Sequence, residues 1–197
     1  MKPYYQDQSV TIYHGDCRQI VPQLGNFDLL LTDPPYGLSI AANPVRQKHD
    51  KKAWDDSVPP RWFLEYAIHK TTHSIVWGGN YYTLEPSKCF LIWDKEQPQD
   101  FTLAMVEQAW SNLNMPAKMF KRRVIGYNKQ HPTQKPVELM QWCINLAGDV
   151  QTILDPFAGS GTTGRAAKDL GKQAVLIEMD EHYCEIAAQR MAQEILL

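Results

Sequence analysis

Two short stretches of this 197-residue chain carry residue types whose order suits chemistry. The first is Asp33-Pro34-Pro35-Tyr36-Gly37. An exocyclic amino nitrogen on a nucleobase is a poor nucleophile, because its lone pair is delocalised into the ring. A carboxylate accepting one of its N–H bonds, with a carbonyl accepting the other, returns electron density to that nitrogen. Asp33 and the carbonyl of Pro34 match that need, and the prolines place no competing N–H donor beside them. Tyr36 offers a ring to stack on a base taken out of its helix. The plain alternative is a Pro-Pro turn with an exposed acid.

The second stretch is the glycine loop Asp155-Pro156-Phe157-Ala158-Gly159-Ser160-Gly161-Thr162-Thr163-Gly164. Gly159 and Gly161 permit close backbone approach, and the N-terminus of a following helix favours a carboxylate or phosphate. Glu178 closes the next apolar run, where an acid can accept hydrogen bonds from both hydroxyls of a ribose. Together these residues suit an adenosine ligand. The three glycines also satisfy the dinucleotide fingerprint, a weak pattern by itself, and a glycine turn used only for packing is the plain alternative.

Alternating elements must position both stretches. Phe27–Thr32 is a short apolar run stopped by Asp33-Pro34-Pro35, as a buried parallel strand would be. Further strands are expected at 74–77, 89–93, 151–154 and 173–177, with one more within 101–109. Helices are expected at 61–70, 136–147, 162–170 and 181–195, the second opened by Pro136 and the third stopped by Gly171. Strands alternating with helices indicate an α/β fold with a mostly parallel sheet, in one domain over 1–197.

Composition bounds the reading. Hydrophobic residues make up 44% and charged residues 21%, as in an ordinary soluble globular protein. No apolar run approaches a membrane span, and the N-terminal residues lack a signal-peptide core, so a cytoplasmic location is expected. Cys17, Cys89, Cys143 and Cys184 form no CxxC pair and the histidines show no ligand constellation, so no metal is expected. The net charge is −2, but cations cluster. Lys118, Lys121, Arg122 and Arg123 lie in an acid-free interval, and Arg46 and Lys48 belong to a second basic group; both are candidate DNA-binding surfaces.

With these motifs at strand ends of one α/β domain, the sequence resembles the amino-group DNA methyltransferases. Members combine a D/N/S-P-P-Y/F/W motif with F-x-G-x-G. Here the catalytic motif comes first, as in the permuted β group. His131-Pro132-Thr133-Gln134-Lys135-Pro136 and Gly15-Asp16-Cys17 resemble two further hallmarks. The resemblance implies a Rossmann-like methyltransferase domain with a seven-stranded sheet and S-adenosylmethionine as cofactor. It assigns Asp33, Pro34, Pro35 and Tyr36 to catalysis. Asp155, Phe157, Ala158, Gly159, Ser160, Gly161 and Thr162 would line the methionine side of the cofactor, Glu178 the ribose and Asp16 the adenine. Thr133 and Lys135 would approach the methionine end.

Asp rather than Ser at position 33 resembles the adenine-N6 branch more than the cytosine-N4 branch. The implied reaction is site-specific methylation of adenine N6 in double-stranded DNA, in a restriction-modification setting. The alternatives are cytosine N4, an RNA base, or a non-catalytic nucleic-acid-binding partner of a larger enzyme; a homodimer is left open. Only a short target-recognition insertion is expected, at about 95–130. Trp77, Trp93, Trp110 and Trp142 are expected to pack rather than to stack on DNA.

Overall fold

The computed structural model describes residues 1–37, 58–98, 104–123 and 134–193. Its strands are β1 (Tyr5–Gln6), β2 (Val10–His14), β3 (Phe27–Thr32), β4 (Thr71–Trp77), β5 (Cys89–Asp94), β6 (Val106–Ser111), β7 (Lys118–Lys121), β8 (Thr152–Asp155) and β9 (Gln173–Glu178). The helices are α1 (Cys17–Ile20), α2 (Arg61–His69), α3 (Val137–Leu146), α4 (Thr162–Asp169) and α5 (Glu181–Ala192).

All nine strands join one sheet in the order β1-β2-β9-β8-β3-β4-β6-β5-β7. Pairing is parallel except for β1 with β2, β4 with β6 and β6 with β5. The seven strands implied by the resemblance are therefore exceeded among the described residues, with additions at both edges. At one edge the Asp7 carboxylate accepts the Ser9 and Val10 N–H groups at 2.8 and 2.7 Å and turns β1 back onto β2. At the other edge β7 pairs parallel with β5.

The central strands are apolar on both faces because both faces are covered. Leu29 and Leu31 of β3 pack with Leu139, Cys143 and Ile144 of α3 and with α4 and α5. Leu30 faces the opposite way, with Ile20 and Val21 and with Phe63 and Ala67 of α2. Alternation along one strand thus feeds two cores. Trp77 and Trp93 are buried, as expected.

Chain connections leave the β3–β8 neighbours in opposite directions, to β4 on one side and β9 on the other. Such a reversal opens a crevice at the carboxyl ends of the strands. Two side chains pin β3 to β8. Asp28, near the start of β3, accepts the backbone N–H groups of Gln151 and Thr152 at 2.8 and 2.9 Å. At the other end, Thr32 donates to Asp155 at 2.7 Å. The expected insertion at about 95–130 contains β6 and β7, so part of that interval belongs to the sheet.

Candidate active site

Asp155 ends β8 beneath the glycine loop. Its carboxylate accepts from the hydroxyls of Thr32 and Thr163 at 2.7 and 2.6 Å and from the Phe157 N–H at 3.1 Å. It thereby fastens β3, β8 and α4 to the loop. Burial pushes this carboxyl up to about 6, and the three donors only partly offset the burial.

Above Asp155 lies a cavity of about 370 Å³, lined by Asp16, Asp33, Lys135, Asp155, Gly159 and Glu178 among others. Glu178 accepts the Gly159 and Asp180 N–H groups, each at 2.8 Å, and burial raises its carboxyl above the usual range. A carboxylate has about four acceptor directions, so two ribose hydroxyls can share it with those N–H groups. Asp16 caps α1 by accepting the Arg18 N–H at 2.9 Å, and its carboxylate is ion-paired with the Arg18 guanidinium at 2.6 Å.

The remaining loop residues divide. Phe157, Ala158, Ser160 and Thr162 line the cavity. Gly161 is absent from the lining, and its glycine serves the fold. Its φ is +76°, and a Cβ there would lie 2.8 Å from that of Ala187 on α5. The Arg190 guanidinium, also on α5, donates to the Ser160 carbonyl at 3.1 Å and the Thr162 hydroxyl at 3.0 Å. Nothing local to Arg190 in the sequence marks it as a loop support.

Asp33 follows β3 and faces the same cavity. Its carboxylate accepts from the Tyr36 hydroxyl at 2.5 Å and is ion-paired with the Lys135 ammonium. Lys135 has a side chain only 3% exposed and also meets Glu107 at 3.1 Å and the Tyr36 oxygen at 3.2 Å. Three acceptors thus meet its three N–H bonds, and Lys135 lines the cavity beside Asp33. Burial pushes the Asp33 carboxyl up by more than Lys135 pulls it down, and Glu107 adds to the rise. The two carboxylates keep Lys135 protonated against its burial.

Sequence reading missed Glu107, Lys95 and Tyr82. Lys95 is ion-paired with Glu107 at 2.6 Å. The Tyr82 hydroxyl lies 2.8 Å from the Pro34 carbonyl and 3.1 Å from that of Pro35. Tyr36 and Tyr81 stack with ring centroids 4.8 Å apart. Gly78, with φ of +69°, makes room: a Cβ there would fall 2.1 Å from the Tyr36 ring.

Among the basic candidates, Lys118, Lys121 and Arg123 are exposed. Lys121 ends β7 and Arg123 follows it, at the same end of the sheet as Asp33 but four strands away. Lys118 stands three residues back, roughly 10 Å along the strand. The acid-free interval is not acid-free in space, because Arg122 is ion-paired with Glu138 in the first turn of α3. Arg46, Lys48 and Thr133 lie outside the described residues.

The DNA methylase family model N6_N4_Mtase matches residues 91–189. The type II methyltransferase M.HinfI of Haemophilus influenzae is 26% identical over 255 aligned positions, covering 98% of this chain and 71% of that protein. That alignment is longer than the 197-residue chain, so the relative carries insertions that this chain lacks. Among curated relatives, the match spans 28% of one protein's length and 84% of another's. Two solved structures share the fold. The M1.HpyAVI–SAM complex has a TM-score of 0.62 at 20% identity, covering 93% of this chain and 100% of that one. The cytosine-N4-specific PvuII DNA methyltransferase has a TM-score of 0.69 at 17% identity, covering 100% of this chain and 91% of that one. Glycine loop, Asp-Pro-Pro-Tyr motif and matched sequence agree: this chain belongs to the N6/N4 DNA methylase family.

Proposed function

We propose that this chain methylates the exocyclic N6 of adenine in double-stranded DNA, using S-adenosylmethionine. The observation that carries the reading is the placement of Asp33 on the wall of the cavity shaped by Glu178 and the glycine loop. The residues fit the cofactor. Glu178 and Asp16 would supply acceptors for its ribose and adenine, and the N-terminus of α4 would favour its carboxylate. Bound there, it supplies a sulfonium methyl group.

The protein's own contribution is orientation and polarisation. Asp33 accepts one N–H of the target amino group. The Pro34 carbonyl accepts the other, sharing its oxygen with the Tyr82 hydroxyl. For this the Tyr36 hydroxyl gives up its bond to Asp33, and the ring stacks on the extruded base. As the new N–C bond forms, the methyl–sulfur bond would break, its electron pair returning to sulfur to give neutral S-adenosylhomocysteine, and the positive charge passes to the amino nitrogen. One N–H proton then leaves, and the raised Asp33 carboxyl suits it to accept that proton. Lys121 and Arg123, at the same end of the sheet, meet DNA phosphates. Asp at position 33, rather than Ser, favours adenine over cytosine.

Incubation of the purified chain with labelled cofactor and unmethylated plasmid, followed by mapping of the modified bases, tests this. N6-methyladenine is expected. N4-methylcytosine would reverse the base assignment, and no DNA methylation under any condition would contradict the proposal.

A further inference from the structure

Asp33, Lys135, Glu107 and Lys95 form a file of alternating charge running from the Asp-Pro-Pro-Tyr motif to the end of β5. Buried ion pairs are weak sources of stability, because desolvation offsets the Coulomb attraction. Neither Glu107 nor Lys95 lines the cofactor cavity. Their placement is nonetheless well fixed. Glu107 pairs with Trp93 across β5 and β6. The Lys95 N–H donates to the Met105 carbonyl at 2.9 Å, closing the same end of that ladder.

We propose that Glu107 is a positioning residue for methyl transfer: it shares the Lys135 ammonium with Asp33, so that Asp33 is oriented without surrendering its charge to a single lysine. The inference rests on the methyltransferase reading. Without Glu107, Lys135 would have Asp33 as its only carboxylate partner among the described residues, and would neutralise the group that must attract the target N–H. Lys95 balances Glu107 in turn, and burial is overcome by the two lysines, which hold Glu107 down to about 2. The groups facing Asp33 are Lys135, Tyr36 and Glu107, with Asp155 on the neighbouring strand.

Glu107→Gln keeps the shape and removes the charge. Single-turnover transfer should slow by about 10- to 100-fold, as for other losses of alignment near a reacting centre. S-adenosylhomocysteine affinity, read by calorimetry, should stay unchanged. The acidic limb of the rate profile should move to lower pH, because a negative neighbour that raises the Asp33 carboxyl is gone. Glu107→Asp should return that limb toward wild type. An active wild type whose Glu107→Gln variant keeps its rate and pH profile would overturn the inference alone. A wild type that methylates no DNA would overturn the methyltransferase reading and the inference with it. If Glu107→Gln does not fold, Lys95→Met carries the test: Glu107 then draws harder on Lys135, so the acidic limb should move to higher pH with unchanged S-adenosylhomocysteine affinity, and an unmoved limb overturns the role.

Discussion

Lys135, just ahead of α3, forms an ion pair with Asp33 at the end of β3, 102 positions earlier in the chain. That contact joins two motifs that sequence reading had assigned to different substrates, the base and the cofactor. The predictions that follow separate the parts of this joined site.

Glu178→Ala should weaken S-adenosylhomocysteine binding. A hydrogen bond to a charged group is worth roughly 1.5–3 kcal/mol, so a loss of about tenfold or more in affinity is expected. The Gly159 N–H also loses its partner, which adds to the effect. An unchanged dissociation constant in calorimetry would remove Glu178 from the ribose site.

Asp155 should give the fold a pH signature. Burial holds its carboxyl at about 6, above the ordinary 3.8. Between those values the folded chain binds more protons than the unfolded chain, so stability falls as pH rises through them. Asp155→Asn carries no charge and should lack this component. Relative to wild type, the variant should gain up to about 3 kcal/mol between roughly pH 4 and 6 and hold that gain above. Thermal unfolding of both proteins across this window is the measurement; a difference that does not vary with pH would contradict the assignment.

Gly78→Ala should strike the catalytic motif from a distance in sequence. A left-handed backbone costs a side-chain-bearing residue about 1–2 kcal/mol, and the added methyl meets Tyr36. Transfer should fall while S-adenosylhomocysteine binding holds. An unchanged transfer rate would show that Tyr36 need not occupy its present place.

Much of the scaffold was legible in the sequence because central strands of an α/β sheet are apolar on both faces. Phe27–Thr32 reads as a strand with the observed bounds, and α3 and α4 fall within a residue or so of expectation. Val10–His14 was passed over although Val10 and Ile12 alternate with less buried neighbours, the pattern of a strand near an edge. Lys118–Lys121 was read by charge and proved to be a strand as well. The Glu107–Lys135 contact has no local signature: antiparallel β6 brings its beginning to the edge where parallel β3 ends, a consequence of topology that no spacing announces.

Lys121 and Arg123 should contribute to DNA affinity more than Arg122, which is committed to Glu138. Each neutralised phosphate adds about 0.9 to the slope of log affinity against log salt. The double replacement Lys121→Ala with Arg123→Ala should make that slope shallower by up to about two units, with similar weakening across sequences. Arg122→Ala should change it little and loosen the β7–α3 contact instead. Parallel slopes for wild type and double variant would place the DNA-facing surface elsewhere, with the Arg46 and Lys48 group as the next candidate.

The most direct test of the account is Asp33→Ala, assayed twice on the same preparation. Calorimetry with S-adenosylhomocysteine should give an affinity close to wild type, because the cavity is held by Glu178, Asp155 and the glycine loop. Methyl transfer to DNA should be abolished, because the target amino group loses the carboxylate that polarises it. A variant that binds S-adenosylhomocysteine normally and keeps more than a few per cent of its transfer activity would contradict the role of Asp33 and the mechanism built on it.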